Sequence, residues 1–331
     1  MPLLDRVRRY LRRYRLAGAE TRVLAAVSGG SDSVALVHLL RDLGASGDLT
    51  LAGIVHVNHQ LREDAGRDEA FCTALARTLD LPIEIARVDV AEYARRAKRS
   101  IEDAAHALRY DAFARAREAQ GAACVALGHT RDDQAETVLL RLLRGAGARG
   151  LAGMYPRHDG VIRPLLECGR QELCDELTAR GQAFVEDATN EDVRVPRNRV
   201  RAELMPLLQA RFNPAIVEVL AAEATLARES WDWMEQASDD WYRRVVAERQ
   251  VDLGELAGAP PALRRLVLWR VLCDGAGGRP VTFSHVDDVL GLVEGERDGM
   301  LDLPGQRVER IGRMLVLKPG AGARRARTRQ G

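Results

Sequence analysis

Leu24-Ala25-Ala26-Val27-Ser28-Gly29-Gly30-Ser31-Asp32-Ser33-Val34-Ala35-Leu36 is the stretch from which the fold is read. The apolar run Val23 to Val27 is brief and ends abruptly in Ser-Gly-Gly, the mark of a buried strand. Beyond it Val34, Leu36, Val37, Leu39 and Leu40 return to helical spacing, so the order is strand, glycine turn, helix. Gly29 and Gly30 let the backbone approach an anion and adopt positive φ without a Cβ clash. The amides of the turn and of the first helical turn lack partners, and the helix dipole adds partial positive charge there. Ser28, Ser31 and Ser33 bring hydroxyls to the same point. Such a turn is a phosphate cradle. Asp32 has a separate task in it, because a carboxylate beside phosphates is repelled unless a cation lies between them, which implies Mg²⁺. Capping of the helix by Asp32 is the alternative.

The loop is neither a GxxxxGK(S/T) loop nor a GxGxxG fingerprint. It resembles the SGGxDS pyrophosphate loop of the N-type ATP pyrophosphatases, which split ATP into AMP and pyrophosphate. That resemblance makes ATP the expected ligand.

Downstream, residues 50–57, 83–88 and 124–127 read as strands, and 64–79, 101–119 and 131–143 as helices. Ser100 is an N-cap with Asp103 three residues on. Repeated βα units imply an α/β, Rossmann-like parallel sheet with helices on both faces. Ligands of such sheets bind at the carboxyl ends of the strands. The polar stretches starting at Ser28, Asn58 and Gly128 each follow a strand directly, so they converge on one site.

On a helix beginning near Arg131, Asp132 and Glu136 are spaced i, i+4, and Asp133 and Glu136 i, i+3. These acids are comfortable if a cation, either Mg²⁺ or an ammonium, sits among them; acids favoured by a helix N-terminus are the alternative. A zinc triad of His56, His59 and His129 is disfavoured, because Asn58 and the phosphate loop offer them hydrogen-bonding work. Arg144 and Arg149 flank a glycine-rich loop that reads either as a linker or as a lid. The densest basic cluster, 194–201, contains no acid and suggests the phosphates of a nucleic acid. The amphipathic segment 2–17 reads as a helix packed on the body with a basic outer face; a contact to an RNA backbone is the sharper alternative.

Composition bounds the partner classes. Lys+Arg of 49 against Asp+Glu of 48 over 331 residues gives no global field pointing to nucleic acid. Only Lys98 and Lys318 are lysines, so the positive charge is arginine, whose fork suits phosphates. The length suits two domains, since single cores stop growing near about 250–300 residues. Cys72, Cys124, Cys168, Cys174 and Cys273 are scattered without a CxxC pair, against zinc, iron–sulfur or disulfides and in favour of a reducing cytoplasm. Arg6 to Arg15 is too charged for a signal-peptide core, and no run approaches the roughly 18–20 apolar residues of a membrane span.

His56-Val57-Asn58-His59-Gln60-Leu61-Arg62, Ala105-His106-Ala107-Leu108-Arg109-Tyr110 and Gly128-His129-Thr130-Arg131-Asp132-Asp133-Gln134-Ala135-Glu136-Thr137 follow the glycine loop in order. Arg163-Pro164-Leu165-Leu166, Asp187-Ala188-Thr189-Asn190 and Arg197-Asn198-Arg199-Val200-Arg201 come next. Together they resemble the tRNA(Ile)-lysidine synthetases, closely from residue 20 to about 212 and more loosely beyond. The family's ARxxRY has Arg where this chain has His106, and an imidazole supplies only part of that charge.

The resemblance implies ATP held by Ser28, Gly29, Gly30, Ser31, Asp32, Ser33, His56, Asn58, His59, Arg109, Gly128 and His129, with Mg²⁺ at Asp32. It implies catalysis by Asp32, Asp132, Asp133 and Glu136, with free L-lysine held by Asp133 and Glu136. Its third substrate would be tRNA(Ile) with a CAU anticodon, contacted by Arg62, Arg144, Arg197, Asn198 and Arg201. The expected reaction adenylates the oxygen on carbon 2 of the first anticodon cytidine, and the lysine ε-amine then displaces AMP to give lysidine.

The expected organisation is a catalytic domain over 1–213, a smaller, mainly helical tRNA-binding domain over 214–318 and a disordered tail over 319–331. In the second domain 215–248, 261–273 and 284–293 read as helices, and 299–303 and 307–317 as strands around Pro304-Gly305. Trp231, Trp233, Trp241 and Tyr242 are expected against a helix partner rather than on bases. The larger extra C-terminal domain of some family members is not expected.

Overall fold

The computed structural model of the protein describes residues 1–61, 65–185, 192–295 and 299–320. Arg62, the Asp187 to Asn190 motif and the expected tail from residue 321 onward lie outside the described residues. The chain falls into two compact units, Met1–Arg228 and Glu229–Gly331.

The first unit opens with α1 (Leu3–Arg13), which buries Val7, Tyr10 and Leu11 and pairs Arg6 with Glu172 and Arg8 with Asp48, both at 2.7 Å. From β1 (Arg22–Ala26) the chain runs through α2 (Ser31–Ala45), β2 (Thr50–Asn58), α3 (Ala65–Thr78) and β3 (Ile83–Arg87). It returns through α4 (Val90–Ala97) and α5 (Ile101–Ala119) to β4 (Cys124–Ala126). Then come α6 (Arg131–Arg144), short α7 (Gly147–Leu151), β5 (Arg157–His158), β6 (Val161–Ile162) and α8 (Arg170–Ala179).

The sheet order is β3-β2-β1-β4-β6-β5, parallel except for the β5 edge. The chain steps outward from β1 to β3 and then returns to the other side of β1 as β4. The loops leaving β1 and β4 therefore part in opposite directions and open a crevice at their carboxyl ends. Side chains along β1 alternate with period two. Val23 and Ala25 join the core shared with α1, α2, α3 and α8, while Leu24 joins Phe113 and Ala116 of α5 on the other face. Burying such aliphatic side chains contributes about 1.5–3 kcal/mol each, which fixes the height at which the strands end and the loops begin.

Ser100 caps α5 as expected, accepting from the Asp103 amide at 3.0 Å. The unit ends with α9 (Pro196–Arg199), a π-helical turn (Val200–Leu204), α10 (Met205–Arg211) and the start of α11 (Ile216–Val245). Pro206 follows the widened turn directly; a proline there removes an amide and crowds the carbonyl four residues back, which the wider turn accommodates. The division between the units falls inside α11.

The second unit holds the end of α11, β7 (Val246–Ala247), β8 (Gln250–Asp252), α12 (Leu253–Leu256), α13 (Pro261–Gly275) and α14 (Phe283–Glu294). It closes with β9 (Gly299–Leu303), β10 (Gln306–Ile311) and β11 (Met314–Pro319). The five strands form an antiparallel sheet ordered β7-β8-β11-β10-β9. The segment 307–317, expected as one strand, is a hairpin, because Gly312 takes φ of 59° and reverses the chain between β10 and β11. Trp231 is buried and meets Trp269 edge-on at 6.4 Å, and Trp241 and Tyr242 pack on the core, whereas Trp233 is exposed.

Candidate active site

Past β1 the backbone turns at Gly29, whose φ of 99° is closed to ordinary side chains. The Gly29 carbonyl accepts from the Val185 amide at 2.9 Å. Ser33 holds the turn from inside: its hydroxyl donates to the Gly30 carbonyl at 2.9 Å and accepts from the Ser28 amide at 3.1 Å. Ser33 thus shapes the cradle. Gly30 caps α2 without a side-chain hydrogen bond, so the first amides of the helix are left to the crevice, and Asp32 is not the cap. From the far side β4 delivers Gly128 onto the same loop. A Cβ there would lie 2.9 Å from the Asp32 carbonyl oxygen and 3.0 Å from the Ser33 amide nitrogen, a spacing that only glycine meets.

The crevice is a cavity of about 890 Å³. Every residue expected to hold nucleotide, apart from Gly29, lines it. Their duties differ. Asn58 is committed to the fold, accepting from the Gln60 amide at 3.0 Å and donating to the Ala65 carbonyl at 3.2 Å and Glu69 at 3.0 Å. His56 bonds the Val27 carbonyl through Nδ1 at 2.8 Å, which assigns the proton to Nδ1 and presents a buried Nε2 with no partner among the described residues. Arg109 reaches His59 Nε2 at 3.3 Å. Burial lowers the pKa of Arg109, and no carboxylate offsets this. A largely buried guanidinium with no carboxylate beside it among the described residues calls for an anionic ligand. His129 is pushed down to about 4, chiefly by burial, so its imidazole is neutral. His106 stacks on Tyr110 with centroids 4.5 Å apart, and burial, then Arg109, hold it below the usual histidine range, so it does not replace the charge of the family's arginine.

The acids of α6 are held tightly. Thr130 caps the helix, and Asp133 Oδ2 accepts from both the Thr130 amide (2.8 Å) and hydroxyl (2.9 Å). Asp133 does not itself line the cavity; its Oδ1 lies behind two arginines that do, meeting Arg170 Nη2 at 3.1 Å and Arg201 Nη2 at 3.3 Å. Burial opposes its ionisation, but Arg170 and the Thr130 amide outweigh that and hold its pKa below the carboxylate range. Glu136 is buried and accepts from Arg201 Nε at 2.7 Å, with Arg170 Nη1 at 3.6 Å. Asp132 stands apart and accepts from the Arg170 backbone amide at 2.8 Å, anchoring the start of α8. Where the acid spacing left Mg²⁺ and ammonium open, the cations beside these acids among the described residues are guanidinium groups, Arg170 and Arg201 with Arg197 at 4.0 Å from Glu136.

Part of the basic cluster has acid partners: Arg201 and, at 4.0 Å, Arg197 reach Glu136, brought from far away in sequence, and Arg194 pairs with Asp192 at 2.8 Å. Arg197 donates to the Thr137 hydroxyl at 2.9 Å, Asn198 is buried and donates to the Asp192 carbonyl at 3.1 Å, and Arg201 covers Glu136. Arg144 is exposed at the end of α6. The glycine-rich segment after it contains α7 and is pinned by Arg141, which donates to the Gly150 and Gly153 carbonyls at 3.1 and 2.7 Å.

Among the described residues no group of three or more His, Cys, Asp or Glu gathers in a metal-holding arrangement. The Asp32 carboxyl is pushed up to about 6, chiefly by burial, with Arg170 acting in the opposite sense. Asp32 fits a Mg²⁺ that takes its other ligands from phosphates and water, the habit of that ion, and such a charge would favour the ionised form that burial opposes.

Arg170 is the functional residue that sequence reasoning missed. Its signal was an arginine in the first turn of a helix, where the dipole disfavours positive charge and an acid must compensate. Arg163 was quoted without a role; it is buried and donates to the Tyr155 carbonyl at 2.7 Å and the Tyr110 hydroxyl at 3.0 Å, bracing the helix that carries Arg109.

Residues 4–208 match the model of the PP-loop domain family. A tRNA(Ile)-lysidine synthase of Symbiobacterium thermophilum is 46% identical over 234 residues, covering 69% of this chain and 48% of that protein. One of Salinispora tropica is 40% identical over 314 residues, covering 90% of this chain and 91% of that protein. The chain thus spans about half the length of the first relative and nearly all of the second. A solved U34-tRNA thiolase of Methanococcus maripaludis with its 4Fe-4S cluster superposes with a TM-score of 0.56 at 14% identity, over 68% of this chain and 80% of that one, a likeness of fold. With its crevice framed by the matched domain and a relative matched along almost all of both chains, this chain belongs to the tRNA(Ile)-lysidine synthase family.

Proposed function

We propose that the chain joins free L-lysine to carbon 2 of the first anticodon cytidine of tRNA(Ile) bearing CAU, with ATP split to AMP and pyrophosphate. One observation carries the reading: the glycine cradle, Arg109 and the arginines covering Asp133 and Glu136 line the same cavity of about 890 Å³.

In this reading the β- and γ-phosphates rest on the amides at the start of α2, with Arg109 opposite. Mg²⁺ at Asp32, when bound, neutralises charge gathering on the departing pyrophosphate. The cytidine oxygen attacks the α-phosphorus, and the bond to the bridging oxygen breaks. The adenylated oxygen is then a leaving group. Lysine Nζ attacks carbon 2, and AMP departs with that oxygen. Lysine arrives as an ammonium, so a proton must leave before attack; Asp133 and Glu136 tether the ammonium, and one of them takes the proton. His129, neutral at physiological pH, adds no charge to the site.

Residues 1–213 would carry this chemistry and 214–318 would help to hold the tRNA. Arg144 and Arg197 are the arginines proposed to meet RNA, with Asn198 and Arg201 ordering the segment behind them. Thiolation is the rival chemistry, and the buried thiols of Cys72 and Cys168, each pushed up to about 12 by burial, argue against it. Among the described residues no helix is long and apolar enough to cross a membrane.

The test is incubation with ATP, labelled lysine and a CAU-anticodon isoleucine tRNA. Label entering the RNA with matching release of AMP is expected. AMP release with no label in RNA would assign a different acceptor, and absence of ATP turnover would defeat the enzymatic reading.

A further inference from the structure

We propose that Arg170 is an exchangeable counter-ion that closes the amine site until the nucleotide draws it away, so that lysine binds after ATP. The proposal rests on the assignment of Asp133 and Glu136 to the lysine ammonium.

Those two acids are already covered. Arg201 grips Glu136 with Nε at 2.7 Å and Nη2 at 3.1 Å, a two-pronged contact of the strong kind. Arg170 instead spreads over three acids at longer range: Asp32 at 3.4 Å, Asp133 at 3.1 Å and Glu136 at 3.6 Å. An ammonium cannot sit between Asp133 and Glu136 without one guanidinium leaving, and the one with the longer, divided contacts leaves more readily. The backbone of Arg170 stays put, since its amide donates to Asp132 at 2.8 Å; only the side chain has to move.

Its destination is in the same cavity, which Arg170 lines together with Ser31 and Asp32 of the cradle. A guanidinium suits phosphate oxygens as well as carboxylates. Triphosphate in the cradle therefore offers Arg170 a new partner and uncovers the acids. Binding of the two ligands is coupled, and by linkage the coupling is reciprocal.

The experiment is equilibrium dialysis of radiolabelled L-lysine against the full chain, with and without the non-hydrolysable α,β-methylene analogue of ATP and Mg²⁺. The wild type is expected to bind lysine about tenfold more tightly with the analogue, inside the usual range of such couplings. Arg170→Gln is expected to bind lysine equally in both conditions, and Arg170→Met serves if the first variant does not fold. Arg170→Lys, which keeps a cation, is expected to restore part of the difference. Equal lysine affinity of the wild type in both conditions, or an undiminished difference in Arg170→Gln or Arg170→Met, overturns the proposal. Lysine binding that Glu136→Gln leaves unchanged overturns the assignment of the acids beneath it, a distinct result.

Discussion

Arg201 meets Glu136 through two hydrogen bonds, Nε to Oε1 at 2.7 Å and Nη2 to Oε2 at 3.1 Å, across 65 residues of sequence. The Glu136 side chain is 2% exposed and that of Arg201 29%, so a dry carboxylate is held by a cation at the edge of the crevice. The pair ties the π-helical turn to α6 and gives a buried acid its partner. Removing one partner of a buried pair costs about 3–5 kcal/mol, and partial exposure of Arg201 reduces that to roughly 2–3 here. Glu136→Gln should therefore lower the melting temperature by roughly 5–10 °C for a unit of this size, besides abolishing lysine transfer. Calorimetry that showed no drop would mean the arginines find other partners.

Gly128→Ala should fold yet bind ATP poorly. The new Cβ would sit 2.9 Å from the Asp32 carbonyl and 3.0 Å from the Ser33 amide, both backbone atoms that no rotamer change can move. The loop must shift by several tenths of an ångström, which spoils donors aimed at phosphate. An increase in KM for ATP of about tenfold or more is expected, as for loss of an aligned charge-assisted contact. An unchanged KM would show that the two loops slide freely.

The cradle was legible because its instructions are local: Ser28 to Ser33 carry the turn, the cap and the close approach within six neighbouring positions. The acid cluster was legible by half. Spacing put Asp133 and Glu136 together, but their cations, Arg170 and Arg201, come from 37 and 65 residues away, and no local pattern reports that. Distance hid the acid that faces Arg201 in the same way, so an arginine run that read as bare is compensated in part. Asp133 was read as ligand and base, or as an acid drawn to a helix N-terminus, but not as half of a capping box, although Thr130 three residues earlier announced the box that occupies one of its oxygens. The two-residue strands β5 and β6 are too short to carry a period, and the hairpin at Gly312 was lost because apolar residues flank the turn on both sides.

Asp32 makes the stability of the nucleotide-free protein depend on pH. Its carboxyl ionises near 6 in the folded chain, chiefly because of burial, and near about 4 when unfolded. Between those values the folded state binds more protons, so the contribution of Asp32 is fully present below about pH 4 and lost as pH rises through about 6. At pH 7.5 the ionised group costs on the order of 1–3 kcal/mol. Asp32→Asn should melt higher than the wild type at pH 7.5, and the gain should fade at pH 4.5. A gain of equal size at both pH values would show that the effect is packing rather than ionisation.

The arginines divide into those turned to solvent and those turned to acids, and tRNA affinity should divide them in the same way. Arg144 is exposed at the end of α6, whereas Arg201 is bound to Glu136 and Asp133 and has little charge to offer a phosphate. Each phosphate contact contributes roughly one unit to the slope of log affinity against log salt. Arg144→Ala should lower that slope by about one. Arg201→Ala should leave the slope nearly unchanged while reducing catalysis, because it removes a wall of the site and not a contact to RNA. A slope that falls for Arg201→Ala and not for Arg144→Ala would mean that Arg201 leaves Glu136 when tRNA arrives, and the division drawn from the free protein would then be the wrong one.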